Sequence, residues 1–358
     1  MFAQRIERIR TLLKEKGVDA FLVTSPTNLT YLSGFVCLSP SEREAYILIT
    51  TKSACILTTP LYAEEMNTND FSLIILSAKN PLSSVIKSVL EKESLETLGF
   101  EEDDIKFFEY ERLAKKDIPL VPLHLNDLRT IKDAKEIEKI AHACAIGDKA
   151  FEHVLGFIKP GITEQELALE LELFIRKQNA TLSFPSIIAF GEHAAVPHHQ
   201  TNSRILKKNE FVLLDFGVKY ESYCSDMSRT VYVGTPSTEE KHLYETVHAA
   251  QQLAIEYIEK YTIKSSASQA DNIARDYIVK QNFPSFPHSL GHGIGLEVHE
   301  SPSLSPYSQD TLQQGMVFSI EPGIYLEKKA GVRIEDLMVI ESNTARLLTT
   351  SSRKLIIL

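Results

Sequence analysis

The chain is poor in cysteine, and its cysteines lie far apart in the sequence. Four cysteines occur in 358 residues, at positions 37, 55, 144 and 224, without a C-x-x-C pair. This scarcity excludes a disulfide framework and a cysteine-rich zinc site, and it is typical of reduced thiols in a cytoplasmic protein.

Long apolar runs are also missing. A membrane-spanning helix needs roughly 20 predominantly apolar residues, and no stretch of this sequence approaches that length. The segment 2–16 has apolar residues at helical spacing among charges, which differs from the unbroken apolar core of a signal peptide. We therefore expect a cytoplasmic location and no membrane partner.

The third scarcity is positive charge. The 38 lysines and arginines are outnumbered by 48 aspartates and glutamates, which gives a formal net charge of -10. Because nucleic acids are bound by basic surfaces, this balance argues against a nucleic-acid partner. Hydrophobic residues make up 43% of the chain, enough for a sizeable core, and the length predicts two domains.

The two predicted domains differ in pattern. Residues 1–127 alternate strand patterns (18–23, 45–50, 54–57, 71–76, 97–100 and 119–123) with helix patterns (2–16, 27–32, 60–67, 81–92 and 107–115). This alternation predicts an α/β domain with a mixed or parallel sheet. Residues 128–358 instead place pairs of long helices before groups of strands, with helices at 133–155, 163–178, 238–260 and 268–280. The whole chain is therefore predicted to be α+β.

Two aspartates interrupt strand-like runs between residues 211 and 230. Asp215 follows a short apolar run, and Asp226 lies in a second run of strand composition. A turn centred on Tyr220-Glu221 would place the two aspartates directly opposite each other, with Cβ atoms about 4.5–5.5 Å apart. Such carboxylates repel each other unless a cation lies between them. Taken alone, the stretch fits an exposed hairpin with two solvated aspartates equally well.

A second unusual stretch, 287–300, contains three histidines threaded with three glycines. The histidines are His288, His292 and His299. A single histidine here would most often be structural, but three together favour a metal or catalytic site.

Two glutamates complete the set. Glu321 ends an apolar strand and is followed by proline and glycine, whereas Glu335 alternates with apolar residues in another predicted strand. Their even separation around a polar turn allows both carboxylates to lie on one face. Each glutamate taken singly is more often a surface residue or half of an ion pair, for example with Arg333.

Four carboxylates and one imidazole carry too much negative charge for one buried cavity without cations. Such a set suits two divalent ions about 3.5–4 Å apart. Oxygen-rich ligands favour Mn²⁺, with Co²⁺, Fe²⁺ or Zn²⁺ as alternatives.

These motifs, with Leu128-Arg129-x-Ile131-Lys132, resemble those of the Xaa-Pro aminopeptidases and Xaa-Pro dipeptidases (prolidases). The resemblance covers essentially the whole chain. It implies a creatinase-like domain over 1–127, a pita-bread metallopeptidase domain over 128–358, and a homodimer. It also implies two metal ions bound by Asp215, Asp226, His292, Glu321 and Glu335, with Asp226 and Glu335 bridging them.

The resemblance implies further roles. Glu321 would also shuttle a proton, His198, His288 and His299 would line the substrate site, and Arg333 would orient the bridging carboxylate. His199 does not match the family pattern and is interpreted as structural. Tyr31 is a weak match to a residue by which the N-terminal domain reaches the active site, or simply a core residue.

The implied activity is removal of the first residue from peptides with proline in second position, as in an Xaa-Pro aminopeptidase. An Xaa-Pro dipeptidase is the alternative. A dipeptidase needs a cation for the proline carboxylate, and the arginine that some dipeptidases carry after the His-Glu pair is replaced by Ser301. A non-catalytic peptide-binding protein of the same fold is disfavoured, because the predicted ligands are all present.

Overall fold

The computed structural model describes residues 2–39, 41–66 and 68–358. The chain divides into two compact units, Met1–Leu128 and Arg129–Leu358. Helices account for 37% and strands for 25% of the structure, which confirms the α+β prediction. In the described part of the chain, no helix has both the length and the apolar character required to cross a bilayer.

The first unit is built around one six-stranded sheet. Its strands are β1 (Ala20–Val23), β2 (Ala45–Thr50), β3 (Ala54–Thr58), β4 (Ser72–Ile75), β5 (Leu98–Glu101) and β6 (Leu120–Leu123). The strand order is β4-β3-β2-β1-β5-β6. Strand β2 is antiparallel to both neighbours and the remaining pairs are parallel, so the sheet is mixed. The helices are α1 (Phe2–Lys16), α2 (Pro26–Ser33), α3 (Leu82–Glu93) and α4 (Phe107–Ala114), followed by α5 (Asn126–Thr130).

The helix predicted at 60–67 is wrong for the residues described there. Only a single turn of 3-10 helix forms, Ala63–Glu65. Pro60 supplies no backbone donor, and so short a segment recovers little of the cost of nucleating a helix.

Tyr31 lies inside the first unit. Its side chain is 3% exposed, its ring lies 4.0 Å from the Arg5 guanidinium, and its hydroxyl donates to the Leu128 carbonyl over 3.1 Å. These contacts are those of a core residue.

The second unit repeats one arrangement twice, a pair of helices followed by strands. The first pair is α6 (Ala134–Leu155) and α7 (Glu164–Lys177), followed by β7 (Thr181–Leu182), β8 (Ile187–Phe190), β9 (Glu210–Phe216), β10 (Val218–Tyr220), β11 (Tyr223–Cys224) and β12 (Met227–Val233). The second pair is α8 (Thr238–Tyr261) and α9 (Ala267–Lys280), followed by β13 (Gly291–Gly293), β14 (Glu300–Leu304), β15 (Val317–Ile320), β16 (Gly323–Leu326), β17 (Ala330–Arg333), β18 (Asp336–Glu341) and β19 (Thr344–Leu347).

Each helix pair has its own hydrophobic core, and each core takes alternate residues from a sheet. In the first core the contributions of β9 are Val212, Leu214 and Phe216. In the second core, the even-numbered residues of β15 and β18, such as Phe318 and Met338, pack against α8 and α9. Since neighbouring side chains of a strand point to opposite faces, the odd-numbered residues face away from the helices. Asp215 is one of them.

The predicted direct opposition of Asp215 and Asp226 is wrong. Strands β9 and β12 pair Asp215 with Ser228, two residues further along. The turn is centred on Glu221-Ser222, whose φ angles of 44° and 72° fit the tight turn that favours a two-residue hairpin loop. A slip of two residues keeps a side chain on its face, so Asp226 is a diagonal neighbour of Asp215.

Glu335 also differs from its prediction, because it does not lie within a strand. The ladder of β15 with β18 ends at Ile320 and Asp336, and the ladder of β16 with β17 begins at Gly323 and Arg333. Between them lies a strand break, defined as Glu321–Pro322 on one chain segment and Ile334–Glu335 on the other. The register of both ladders places Glu321 and Glu335 opposite each other across this break.

A capping box starts α7. The Thr163 hydroxyl accepts from the Glu166 amide, and the Glu166 carboxylate accepts from the Thr163 amide over 2.8 Å.

Replacing this cap tests the helix start. We expect Thr163→Ala to lower the free energy of unfolding by about 1 kcal/mol, because one donor at the helix N-terminus loses its partner. Thr163→Ser should match the wild type. Urea unfolding followed by the helical circular dichroism signal gives both values, and equal midpoints for all three proteins would contradict the assignment.

Candidate metal and substrate site

All nine predicted site residues line one cavity of about 590 Å³ in the second unit. They are Asp215, Asp226, His292, Glu321, Glu335, His198, His288, His299 and Arg333. Part of the remaining wall is apolar and includes Phe184, Ile187 and Val298. The cavity therefore brings together the carboxylates, the histidines and an apolar surface.

Strand ends and the strand break position the carboxylates. Asp215 lies near the end of β9, Asp226 directly precedes β12, and the two glutamates occupy the break. His292 is the central residue of β13, where Gly291 permits a close approach. A Cβ at Gly291 would lie 1.9 Å from the Ser319 carbonyl oxygen, so only glycine fits there.

His292 faces two of the carboxylates. Its Nε2 lies 3.2 Å from Glu321 Oε1 and 3.8 Å from Asp226 Oδ2. One ligand atom from each of Asp226, His292 and Glu335 lies within 4.8 Å of the others. The Nδ1 of His292 lies 3.1 Å from the Gly293 carbonyl, which assigns the proton to Nδ1 and leaves Nε2 for a ligand.

Two buried oxygens in this group have no hydrogen-bond partner among the described residues, Asp226 Oδ1 and Glu335 Oε1. An unpaired carboxylate oxygen buried in protein is costly. A divalent cation is the partner that such oxygens, together with an imidazole nitrogen, fit best. The residues present therefore suit a metal site.

The pKa values of the predicted ligands are also consistent with a metal site. Burial, followed by repulsion from Glu335 and Asp215, raises the pKa of Asp226 well above its usual value. Burial and repulsion from Glu321 and Asp215 do the same to the pKa of Glu335. Burial lowers the pKa of His292, but its hydrogen bond to Glu321 and the charges of Glu321 and Glu335 outweigh this and raise it to about 9. Burial likewise raises the pKa of Glu321, and the hydrogen bond and charge of His292 reverse this to about 2.

Arg333 is almost fully buried and connects several site residues. One guanidinium nitrogen donates to Asp215 Oδ2, and Nε donates to the Ser228 hydroxyl, which donates to Glu335 Oε2; both of these distances are 2.8 Å. The direct carboxylate contact of Arg333 is thus with Asp215, and it reaches Glu335 through Ser228. Another nitrogen donates to the Tyr325 hydroxyl over 2.9 Å.

His288 is held as a neutral ring in one tautomer. Its Nδ1 donates to the Ser289 carbonyl over 2.8 Å, and its Nε2 accepts from the Tyr325 hydroxyl over 2.9 Å. Tyr325 can donate here because it accepts from Arg333. Burial lowers the pKa of His288 and, with the charge of His292, that of His299.

Three residues in this arrangement were not among the predicted site residues: Ser228, Tyr325 and Glu164. Ser228 lies in the predicted strand-like run that contains Asp226, and Tyr325 lies on β16. A sequence does not reveal which hydroxyl faces an arginine. Glu164 reads as an acidic first-turn residue of α7. Its fully buried carboxylate accepts from His193 and His199, at 2.8 and 2.9 Å, and so anchors the loop that carries His198. His199 is thus hydrogen-bonded outside the cavity.

Both units of the chain are similar to known proteins. The model of metallopeptidase family M24 matches residues 138–342, and that of the creatinase/prolidase N-terminal domain matches residues 5–131. A Xaa-Pro dipeptidase of Pyrococcus horikoshii is 35% identical over 99% of this chain and 99% of its own. The solved Xaa-Pro dipeptidase of Bacillus anthracis superposes with a TM-score of 0.94 at 34% identity, over 100% of both chains.

A solved X-Pro aminopeptidase of Thermotoga maritima is also similar, with a TM-score of 0.86 at 31% identity over 96% of this chain and 98% of its own. The similarity thus extends over both units and includes both named activities. The chain belongs to metallopeptidase family M24, with a creatinase/prolidase N-terminal domain and the pita-bread fold, and it is a metallo-exopeptidase of the Xaa-Pro dipeptidase and aminopeptidase group.

Proposed function

We propose that the protein is a dinuclear Xaa-Pro aminopeptidase, which removes the first residue from peptides with proline in second position. One observation carries the proposal. A single cavity combines four carboxylates, one imidazole and two unpartnered buried oxygens with neutral histidines and an apolar wall.

Five residues would hold two divalent ions: Asp215, Asp226, His292, Glu321 and Glu335. Asp226 and Glu335 would be the residues shared between the two ions, since both are buried and each has one unpaired oxygen. The oxygen-rich set favours Mn²⁺. When bound, the ions supply a nucleophilic hydroxide near neutral pH and polarise the carbonyl that it attacks.

Glu321 is the proposed proton carrier. Its carboxylate accepts hydrogen bonds from two described residues, His292 and Ser319, and both involve Oε1. This leaves Oε2 to take a proton from the attacking water. The leaving prolyl nitrogen then receives that proton. In the metal-free protein the low pKa of Glu321 reflects the hydrogen bond and the charge of His292 beside it.

The remaining histidines bind and orient the substrate. His299 lies beside His292, with ring centroids 4.4 Å apart, and His198 lines the same cavity. Either can donate a hydrogen bond to the oxyanion of the tetrahedral intermediate. The Arg333–Tyr325–His288 chain keeps His288 neutral and oriented. The apolar wall of Phe184, Ile187 and Val298 suits a proline ring.

The positively charged side chains of the cavity indicate which substrate length it suits. Among the described residues that line the cavity, Arg333 alone carries a permanent positive charge, and it is already engaged by Asp215, Tyr325 and Ser228. No arginine or lysine there is left for the carboxylate of an Xaa-Pro dipeptide. This supports an aminopeptidase acting on longer peptides.

The second candidate is an Xaa-Pro dipeptidase. It is favoured by the similarity to the dipeptidases of Bacillus anthracis and Pyrococcus horikoshii. A protonated His198 or His299 would then have to bind the proline carboxylate.

The metal assignment predicts the behaviour of Asp226→Asn. The amide has the same shape but cannot bridge two cations, so the metal content should fall from about two ions per chain to about one or fewer. Hydrolysis of an Xaa-Pro peptide should fall at least about 100-fold. Elemental analysis and a peptide assay measure the two effects. Exposed Asp276→Asn serves as control, and an Asp226→Asn protein with full metal and activity would refute the site.

The raised pKa values predict proton release. In the metal-free protein His292 (pKa about 9) is protonated at pH 7, and the raised pKa values of Asp226 and Glu335 favour their protonated forms. Metals bind the deprotonated groups, so adding Mn²⁺ at pH 7 should release at least about one proton per chain, the proton of His292. Affinity should weaken as the pH falls through these pKa values. Calorimetric titration of Mn²⁺ in buffers of different ionisation enthalpy measures the number of protons released. The absence of proton release at pH 7 would contradict the prediction.

Substrate length distinguishes the two candidate activities. With Mn²⁺ present, kcat/KM for Ala-Pro-Ala should exceed that for Ala-Pro by roughly tenfold or more, because the dipeptide carboxylate lacks a permanent cation; tenfold corresponds to about 1.4 kcal/mol. The reverse preference would favour the dipeptidase. Cleavage of neither peptide would count against both.

A further inference from the structure

Both glutamates of the strand break are held by one side chain from the opposite side of the sheet. Gln251 lies on α8 and is fully buried. Its amide nitrogen lies 3.1 Å from the Ile320 carbonyl oxygen and 3.2 Å from the Ile334 carbonyl oxygen. These are the residues that directly precede Glu321 and Glu335.

The orientation of this amide is determined by its surroundings. A third acceptor, Asp336 Oδ2, lies 2.8 Å from the same nitrogen. Three oxygens around one atom require that atom to be the donor, since a flipped amide would face them with its own oxygen. The other amide atom, Oε1, has no hydrogen-bond partner among the described residues. A buried polar atom without a partner is costly, so the contacts of the NH₂ group must outweigh this cost.

The two glutamates have lost their ladder contacts at the break. The Glu321 amide donates to the Leu290 carbonyl over 2.7 Å, and the Glu335 amide donates to the Ser228 carbonyl over 3.0 Å. These bonds connect each glutamate to a neighbouring strand but not to the other glutamate. Gln251 contacts both sides of the break at once.

Gln251 contacts the two glutamates only indirectly, through the backbone of the residues that precede them. Ile320 and Ile334 belong to the core that packs on α8 and α9, whereas Glu321 and Glu335 line the cavity. Gln251 is absent from the cavity lining, so it touches neither substrate nor metal. Its third contact, Asp336, pairs with Arg229, which donates to the Glu335 carbonyl. The same network therefore also contacts the backbone carbonyl of Glu335.

From this geometry we propose that Gln251 is a positioning residue, which sets the separation of the Glu321 and Glu335 carboxylates and thereby the affinity of the metal pair. The inference rests on the proposed function, because it takes these two glutamates as metal ligands. It concerns a residue that contacts neither ion.

The test measures metal binding and not only activity. Gln251→Met keeps the length of the side chain and removes both donors. Titration of Mn²⁺ into the metal-stripped protein should show at least about tenfold weaker binding of one or both ions, the size expected for residues that orient metal ligands. Gln251→Asn retains the amide but is one methylene too short to span both carbonyls, and it should weaken binding similarly. Gln252→Met, on the next residue of α8, is the matched control and should bind as the wild type does.

The outcomes separate the two proposals. If the wild type fails to bind two Mn²⁺ ions, the proposed function is overturned, and the inference about Gln251 with it. If the wild type binds two ions and the folded Gln251 variants match it within about twofold, only the positioning role is overturned, whatever their thermal stability. If Gln251→Met does not fold, as judged by circular dichroism, Gln251→Asn decides by the same criterion.

Discussion

Repulsion among four carboxylates in one cavity is the constraint on which the second unit depends. Two like charges roughly 4 Å apart repel by about 4 kcal/mol at an effective dielectric constant of about 20. The net stability of a whole domain is only about 5–15 kcal/mol, so several such pairs cannot remain uncompensated. Arg333 neutralises one charge, and His292 neutralises another only while it is protonated. The repulsion that remains raises the pKa values of Asp226 and Glu335, because protonation removes a negative charge. Two divalent ions would reverse the sign of the cavity, which suits a reaction that builds negative charge on its substrate.

The carboxylates meet in the cavity, outside the two hydrophobic cores. Each sheet turns one face toward a helix pair and the other toward the cavity, so the periodicity that buries Val212 and Leu214 also directs Asp215 away from the helices. Interruptions of regular pairing then place the remaining carboxylates. Asp226 precedes a strand, and the glutamates occupy the strand break. Polar side chains at such interruptions can meet partners other than strand neighbours, which is why Ser228 and Gln251 matter there.

The sequence predicted most elements of the fold and which residues meet, but not their pairing. Apolar periodicity located the strands and helices because burial imposes it directly. The register of the aspartate hairpin differs by two residues from the prediction because Glu221 and Ser222 adopt positive φ angles without being glycine. Composition does not reveal this conformation. The break at Glu335 was missed because apolar alternation continues through it. Gln251 left a readable signal, a polar residue in the apolar stripe of Val247, Ala254 and Ile258, but its partners are backbone atoms with no sequence signature.

The two hydrophobic cores give the site a further property. Asp215 and Asp226 are attached to the sheet of the first core, whereas His292, Glu321 and Glu335 are attached to the sheets of the second half. Neither half of the unit carries a complete ligand set. Ions that bind the assembled cavity and not the separated halves would stabilise the association of the halves by mass action. The ions would then act as a cross-link between the two halves, in addition to direct contacts such as those of Arg333 with Asp215 and of Ser228 with Glu335.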